Sequence, residues 1–372
     1  MTTRGQHTLA EINSQPEAWA DALQAFAARE AELKRAWASL NPESPGCARR
    51  GGLAREGDLR QVVFVGCGST YYLSQTAAWL MQGLTGVPAC AYPSSEIVLF
   101  ESQVLTKPHD TLLVTVSRSG TTTETLIAVD RFRRLGGRAV WSITCYPDSP
   151  LARAADFVLP AEAGQEQSIA QTRSFASMLV LAQAMAAALA GQDTSPLNTL
   201  PGLGWELLEQ VAPIAQELGD DPEVDSFFFL GSGPQYGIAN EAMLKMKEMS
   251  LSHSEAFHFF EFRHGPKSMV TGRALIVGLL SQPAHTHEEQ VLDEMVALGG
   301  HTLALATWPG TNGGTRRLQL AQHLPAWATP VLYLPPLQLL AYYRAVGKGL
   351  DPDRPRNLES VVFLNESSFS HG

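Results

Sequence analysis

The chain has 372 residues, more than one ordinary core organises, so two domains are expected, each large enough to bury an interior. With 45% hydrophobic and 17% charged residues it reads as a compact α/β protein and not as a disordered, fibrous or membrane one. A formal net charge of -10 disfavours nucleic acid or anionic lipid as partners, because both need a basic surface.

Residues 1–16 lack the apolar core of a secretory signal. The most apolar stretch, 176–190, is interrupted by Ser177 and Gln183 and is too short to cross a membrane, so it reads as a buried helix. Cys47, Cys67, Cys90 and Cys145 lie far apart with no CxxC pair, which suits neither a zinc site nor a disulfide scaffold. A cytoplasmic chain with reduced thiols is expected.

In chain order, Trp19, Leu23, Phe26, Leu33, Trp37 and Leu40 fall at helical spacing, with a helix start at Ser14 and Pro16. Gly, Pro and charge over 43–58, and again over 191–204, read as linkers. Between them, β-branched runs at 61–65, 111–116, 139–144 and 157–159 alternate with helical patterns at 73–84, 122–135 and 175–189. After the second linker come strands at 226–230, 274–280, 301–306 and 331–334. The alternation predicts doubly wound parallel sheets with helices on both faces. Segments 62–81 and 227–246 share an apolar strand, a G-x-G turn and a following helix, which predicts two tandem copies of one α/β module. The implied boundaries are an N-terminal helical segment over 1–45, a first module over 46–195, a second over 205–340 and a tail over 341–372.

The loop Ser117-Arg118-Ser119-Gly120-Thr121-Thr122 follows a strand and opens a helix. Free N–H groups, the positive end of the helix dipole and several hydroxyls favour an anion there, and Gly120 permits close approach. The alternative is an ordinary hydroxyl-rich N-cap. No GxxxxGK[ST] occurs, so a nucleoside triphosphate loop is not indicated. The turn Gly66-Cys67-Gly68-Ser69-Thr70 lies at another strand end, where ligands of open α/β sheets collect. It lacks the third glycine and the acidic residue of a dinucleotide site, so NAD is rejected, and Cys67 reads as a packed residue and not a nucleophile.

The second module matches the anion loop with Ser281-Gln282-Pro283-Ala284-His285-Thr286, which lacks the glycine and has fewer hydroxyls. What it carries instead is Glu241, Lys245, Glu248 and Ser252 at i, i+4, i+7 and i+11 on one helical face. A solvated stripe with a helical ion pair is the competing reading. The helix follows the G-x-G turn, so its start is expected at the ligand end of the second sheet. Shortly after it, His264 stands before Gly265-Pro266. A carboxylate and an imidazole that exchange protons are what aldose-ketose isomerisation needs. His253, His258 and His264 with Glu255 and Glu261 fit no standard zinc spacing, and neither a metal nor a cofactor is expected.

Taken together, 11–16, Cys67-Gly68-Ser69-Thr70, Ser117-x-Ser119-Gly120-x-Thr122, Glu241-x-x-x-Lys245-x-x-Glu248, His264-Gly265-Pro266 and Asp353-x-Pro355-Arg356-Asn357-Leu358 resemble the double sugar-isomerase (SIS) domain family. Within it the chain is most similar to the isomerase half of glucosamine-6-phosphate synthase and to amino-sugar-phosphate deaminases. The resemblance implies that Cys67, Gly68, Ser69, Thr70, Ser117, Arg118, Ser119, Thr122 and Gln171 surround the sugar phosphate. It implies that Glu248 moves a proton between C1 and C2, that His264 assists ring opening from the other subunit of a homodimer, and that Glu241 and Lys245 line the pocket under the tail. Three departures qualify it. Residue 2 is Thr with no glutamine-cleaving domain ahead, the tail reads Glu359-Ser360 where the synthases carry an imine-forming lysine, and Arg118 and Gln171 replace smaller or neutral residues. The expected reaction is therefore glucosamine 6-phosphate to fructose 6-phosphate and ammonia. A fructosamine-6-phosphate deglycase, a plain aldose-ketose isomerase and a non-catalytic sugar-phosphate sensor are the alternatives.

Overall fold

The computed structural model describes residues 4–40, 59–310, 314–321, 323–359 and 361–362. The linker expected over 43–58 lies outside them, as do Cys47 and Ser360. The chain divides into two compact units. The first comprises Glu17–Gln165 and Arg173–Asn198; the second comprises residues 4–16, Glu166–Thr172 and Thr199–Leu358.

In the first unit, β1 (Gln61–Gly66), β2 (Ala89–Pro93), β3 (Thr111–Ser117), β4 (Ala139–Thr144) and β5 (Phe157–Pro160) form a wholly parallel sheet in the order β2-β1-β3-β4-β5. Strands β3 and β4 are buried along their whole length, as continuous apolar runs covered by helices on both faces must be. One core packs Val63, Val65, Leu113 and Val140 against Ala128, Val129 and Phe132 of the helix Thr123–Arg134. The stretch read as a buried helix is one: in Arg173–Leu189 every residue after Arg173 is buried.

The second unit repeats the plan. Strands β6 (Ser226–Gly231), β7 (His253–Phe257), β8 (Ala274–Leu279), β9 (His301–Ala306) and β10 (Arg316–Gln319) pair in parallel in the order β7-β6-β8-β9-β10, the topology of the first sheet strand for strand. The two G-x-G turns agree in backbone: Gly68 has φ 56° and ψ -125°, Gly233 φ 58° and ψ -132°. Only glycine adopts that conformation without strain, so both turns keep it.

Two expectations need correction. Residues 331–334 are not a strand: a 3-10 turn at Pro330–Tyr333 runs into the helix Leu334–Gly347, which packs on the helices Leu200–Asp220 and Pro234–Ser250. Pro335 and Pro336 explain this, since proline is accommodated in a first helical turn but removes donors from a central strand. The stretch 191–204 is not all linker, because the helix Leu200–Asp220 begins inside it. The helix expected to start at Ser14 and Pro16 is Gln15–Leu40, and a second helix, Gln6–Asn13, precedes it.

Candidate functional site

Strands β1 and β3 are hydrogen-bonded neighbours, with Val65 opposite Thr115, and the chain leaves them in opposite directions across the sheet. Their C-terminal ends are thus the switch point where open α/β sheets bind ligands. After β3, the Ser117 hydroxyl accepts from Gly120 N–H at 3.0 Å, and Ser119 Oγ accepts from Thr121 N–H at 3.2 Å and from its hydroxyl at 3.0 Å. Thr122 occupies the N-cap position of the helix Thr123–Arg134, but its side chain makes no capping bond, which departs from an ordinary hydroxyl N-cap. Arg118 is buried, and its carbonyl accepts from Cys145 N–H at 3.2 Å and from the Thr144 hydroxyl at 3.3 Å.

Gly120 has φ 63°, and a Cβ there would lie 2.0 Å from Ser149 Oγ. Ser149 caps the helix Pro150–Ala154, and Leu151 N–H donates to the Gly120 carbonyl at 3.1 Å. Gly120→Ala is therefore expected to cost about 2 kcal/mol or more through left-handed strain and the clash behind the loop. Urea unfolding of the full chain checks this.

In the turn after β1, the Thr70 hydroxyl accepts from Cys67 N–H and donates to Cys67 O, both at 2.9 Å. It braces the turn. Ser69 and Thr70 are buried at the start of the helix Ser69–Thr85. Burial pushes the Cys67 thiol above its ordinary range against the hydroxyls of Ser94 and Thr125, which is inert thiol behaviour.

The second unit carries the helix Pro234–Ser250. Glu241 and Lys245 are each 1% exposed at the side chain, Lys245 Nζ lies 3.3 Å from Glu241 Oε1, and the same ammonium is in short contact with Glu248. This is a buried charge cluster and not a solvated stripe. Burial alone would lower the Lys245 ammonium, but the two carboxylates outweigh it and hold the group above its ordinary value. Ser252 falls off the helical face, because the helix ends at Ser250 and Leu251 turns left-handed at φ 51°.

At 1.5 Å per residue, Glu248 lies about 21 Å along the helix from its start. The start is at the ligand end of the second sheet, as the turn after β6 requires, but the charged set is carried toward the opposite end.

His264 is exposed at the end of the short helix Phe259–Arg263, where Gly265 at φ 142° breaks the chain before Pro266. His258 stacks on Tyr236 with ring centroids 3.8 Å apart, and burial lowers it. Among the described residues no three His, Cys, Asp or Glu side chains group as metal ligands.

Gln171 lies half-buried in Glu166–Thr172, which belongs to the second unit. Glu11 accepts from Gln167 N–H at 2.6 Å and Ser168 N–H at 3.2 Å, Glu166 from Thr172 N–H at 2.7 Å, and Asp353 O from Ile169 N–H at 3.2 Å. Glu11 and Asp353 belong to the two end motifs, which thus clamp the segment that carries Gln171.

Two acidic residues were not singled out from the sequence. Glu124, in the first turn after the anion loop, has a buried Oε2 with no hydrogen-bond partner among the described residues. Glu288, 2% exposed, accepts from Ser281 N–H at 2.6 Å and from its hydroxyl at 2.9 Å. Each lies seven residues beyond a serine, Ser117 at the end of β3 and Ser281 two residues past β8, and each falls in the first turn of the helix that comes next.

Burial raises the Glu288 carboxyl from 4.5 to about 7, against the bonds from Ser281 and Ser232 and the attraction of His285. The folded chain thus holds this proton more tightly than the unfolded chain. The contribution is full below pH 4.5 and is lost as the pH climbs to about 7. Relative to Glu288→Gln, the wild type should lose up to about 3 kcal/mol across that window. The difference in melting temperature between the two proteins at pH 5 and at pH 8 checks the sign.

A duplicated parallel α/β module, with a hydroxyl-rich loop at the switch point of one copy and a carboxylate-lysine cluster in the other, defines a tandem two-module α/β class. The chain belongs to the SIS domain family, whose profile matches residues 58–188 and 223–316. It is 33% identical over 323 residues to the isomerizing glutamine-fructose-6-phosphate aminotransferase of Pseudomonas putida, covering 82% of this chain and 52% of that protein. The corresponding protein of Pyrobaculum aerophilum is 33% identical over 316 residues, covering 82% of this chain and 51% of the relative. The chain thus spans about half the length of these curated relatives. Among solved structures, glucosamine-6-phosphate deaminase from Thermotoga maritima superposes with a TM-score of 0.71 at 27% identity over 92% of this chain and 99% of that one. Tagatose-6-phosphate ketose/aldose isomerase from Escherichia coli shares the fold, with a TM-score of 0.82 at 22% identity over 94% and 95%. No helix among the described residues is long and apolar enough to cross a membrane.

Proposed function

We propose that the chain is an amino-sugar-phosphate deaminase and isomerase that converts glucosamine 6-phosphate and water to fructose 6-phosphate and ammonia. The observation that carries the reading is the buried Glu241-Lys245 pair with the partly exposed Glu248 in contact with the same ammonium, an arrangement too costly for a solvated helix face and suited to proton transfer next to a sugar. In this reading Ser117, Ser119 and Thr122 hold the phosphate, with the loop's N–H groups and the helix dipole behind them. His264 assists ring opening to the aldehyde. Glu248 takes the proton from C2 and returns it at C1, which leaves a ketimine at C2, and water then releases ammonia.

Similarity to the Thermotoga maritima deaminase along nearly the whole chain supports this reading. So does the tail, where Glu359-Ser360 stands in place of an imine-forming lysine. A substrate that brings its own amine forms the imine without one. The reading extends to a homodimer in which the exposed His264, flanked by the exposed Phe260 and Met269, completes the site of a second copy.

The test is a panel of phosphorylated sugars assayed for ammonia and ketose phosphate. Glucosamine 6-phosphate should yield both products in equal amounts. Turnover of a fructosamine 6-phosphate or of an unaminated aldose phosphate alone would replace the substrate while keeping the acid/base assignment.

A further inference from the structure

The loops that follow β3 in the first unit and β8 in the second are in opposite states. In the first, the Ser117 hydroxyl is turned into its own loop, accepting from Gly120 N–H, and Glu124 keeps a carboxylate oxygen without a hydrogen-bond partner among the described residues. In the second, the strand pairing makes Leu280 the counterpart of Ser117 and Ser281 that of Arg118, one residue off the match read from the sequence, and Glu288 stands in the first turn of the helix His285–Ala297 as Glu124 does in the first turn of Thr123–Arg134. Here the glutamate folds back: Ser281 donates to it through both N–H and hydroxyl, and Ser232 of the G-x-G turn adds a third hydrogen bond. Backbone N–H, strand-end hydroxyl and G-x-G turn are the groups that an oxyanion of a ligand meets at a switch point.

We infer that Glu288 is the internal ligand of the second unit's strand-end loop, its carboxyl group standing where the first unit's loop takes a ligand's oxyanion, so that this edge of the second unit is closed to phosphate. The inference rests on the phosphate reading of the first loop. It accounts for the division of labour between the copies. With its own switch point filled, the second unit contributes through the far end of the helix Pro234–Ser250, where Glu241, Lys245 and Glu248 lie.

The closure holds in either protonation state. Serine hydroxyls both donate and accept, so Ser232 and Ser281 turn to meet a carboxylate or a neutral carboxyl. Other polar groups near it include the His285 ring on its own helix, the Tyr333 hydroxyl, which donates to Leu280 O at 2.6 Å, and, against Tyr333, the buried Gln235 and the charge of Arg317. Burial keeps Tyr333 far above the range in which it ionises near neutral pH.

The experiment is chemical rescue in the full chain, read by thermal unfolding at pH 6.5. Glu288→Ala should melt several degrees below the wild type, and sodium acetate should recover a good part of that loss where sodium chloride at equal ionic strength does not. The wild type and Glu288→Gln, whose loops are already filled, should show the same shift in both salts. An acetate response no larger than the chloride response in Glu288→Ala, or one equal to that of the wild type, would overturn the inference. If Glu288→Ala does not fold, a cycle of Glu288→Gln and Ser281→Ala reads the same contact: coupled losses support the closure and additive losses overturn it. None of these readouts involves turnover, so they separate from a failure of the proposed reaction. The phosphate reading of the first loop is tested apart, by loss of sugar-phosphate binding in Ser119→Ala.

Discussion

Glu248→Gln should reduce turnover by roughly 10³-fold while sugar-phosphate binding survives, the size expected when a single general base is removed. Glutamine keeps the shape of the side chain and an oxygen that accepts from Lys245, so the helix should stand. What it lacks is the ability to carry a proton from C2 to C1. The discriminating readout is the separation of kcat from binding: the dissociation constant should move only a few-fold. A variant that loses binding and turnover together would place Glu248 in ligand capture, and one that keeps full activity would remove it from the chemistry.

Lys245→Met should destabilise the chain by about 3–5 kcal/mol at neutral pH, the cost of breaking a buried ion pair from one side. Methionine fills most of the volume but leaves Glu241, 1% exposed, without the cation that offsets its burial. The pH dependence identifies the cause. In the wild type the raised Lys245 group contributes at every pH below its ordinary 10.5 and is lost only as the pH passes its folded value. In the variant, Glu241 keeps its proton to higher pH than in the unfolded chain, so stability should fall as the pH rises above the ordinary carboxyl range. The difference between the two proteins should therefore shrink in acid. Urea unfolding of both at pH 5 and pH 8 checks this, and a pH-independent difference would assign the loss to packing.

The sheet interiors were legible because their strands are buried on both faces and appear as unbroken apolar runs, as in 111–116 and 139–144. The strands missed, β2, β7 and β10, all lie at sheet edges, where half-exposed residues such as Tyr92, Glu255 and Arg317 blur the pattern. The opposite error at 331–334 has the same origin, since a short buried apolar run has no period of its own. In the charged helix, the spacing of Glu241, Lys245 and Glu248 was plain but their burial was not. Ala242, Met246 and Met249 are buried as well, so the helix is enclosed on more than one side and periodicity cannot tell a solvated stripe from a sequestered one. Glu288 escaped notice because its partner Ser281 lies seven residues away across an irregular loop, where no helical or strand spacing applies.

The measurement that tests the account most directly follows binding and turnover of glucosamine 6-phosphate by the same preparation, with and without the Glu248→Gln change. The account predicts that both proteins bind it and that only the wild type releases ammonia and fructose 6-phosphate in equal amounts. Binding by the wild type with no product would contradict it and would make the chain a sugar-phosphate sensor.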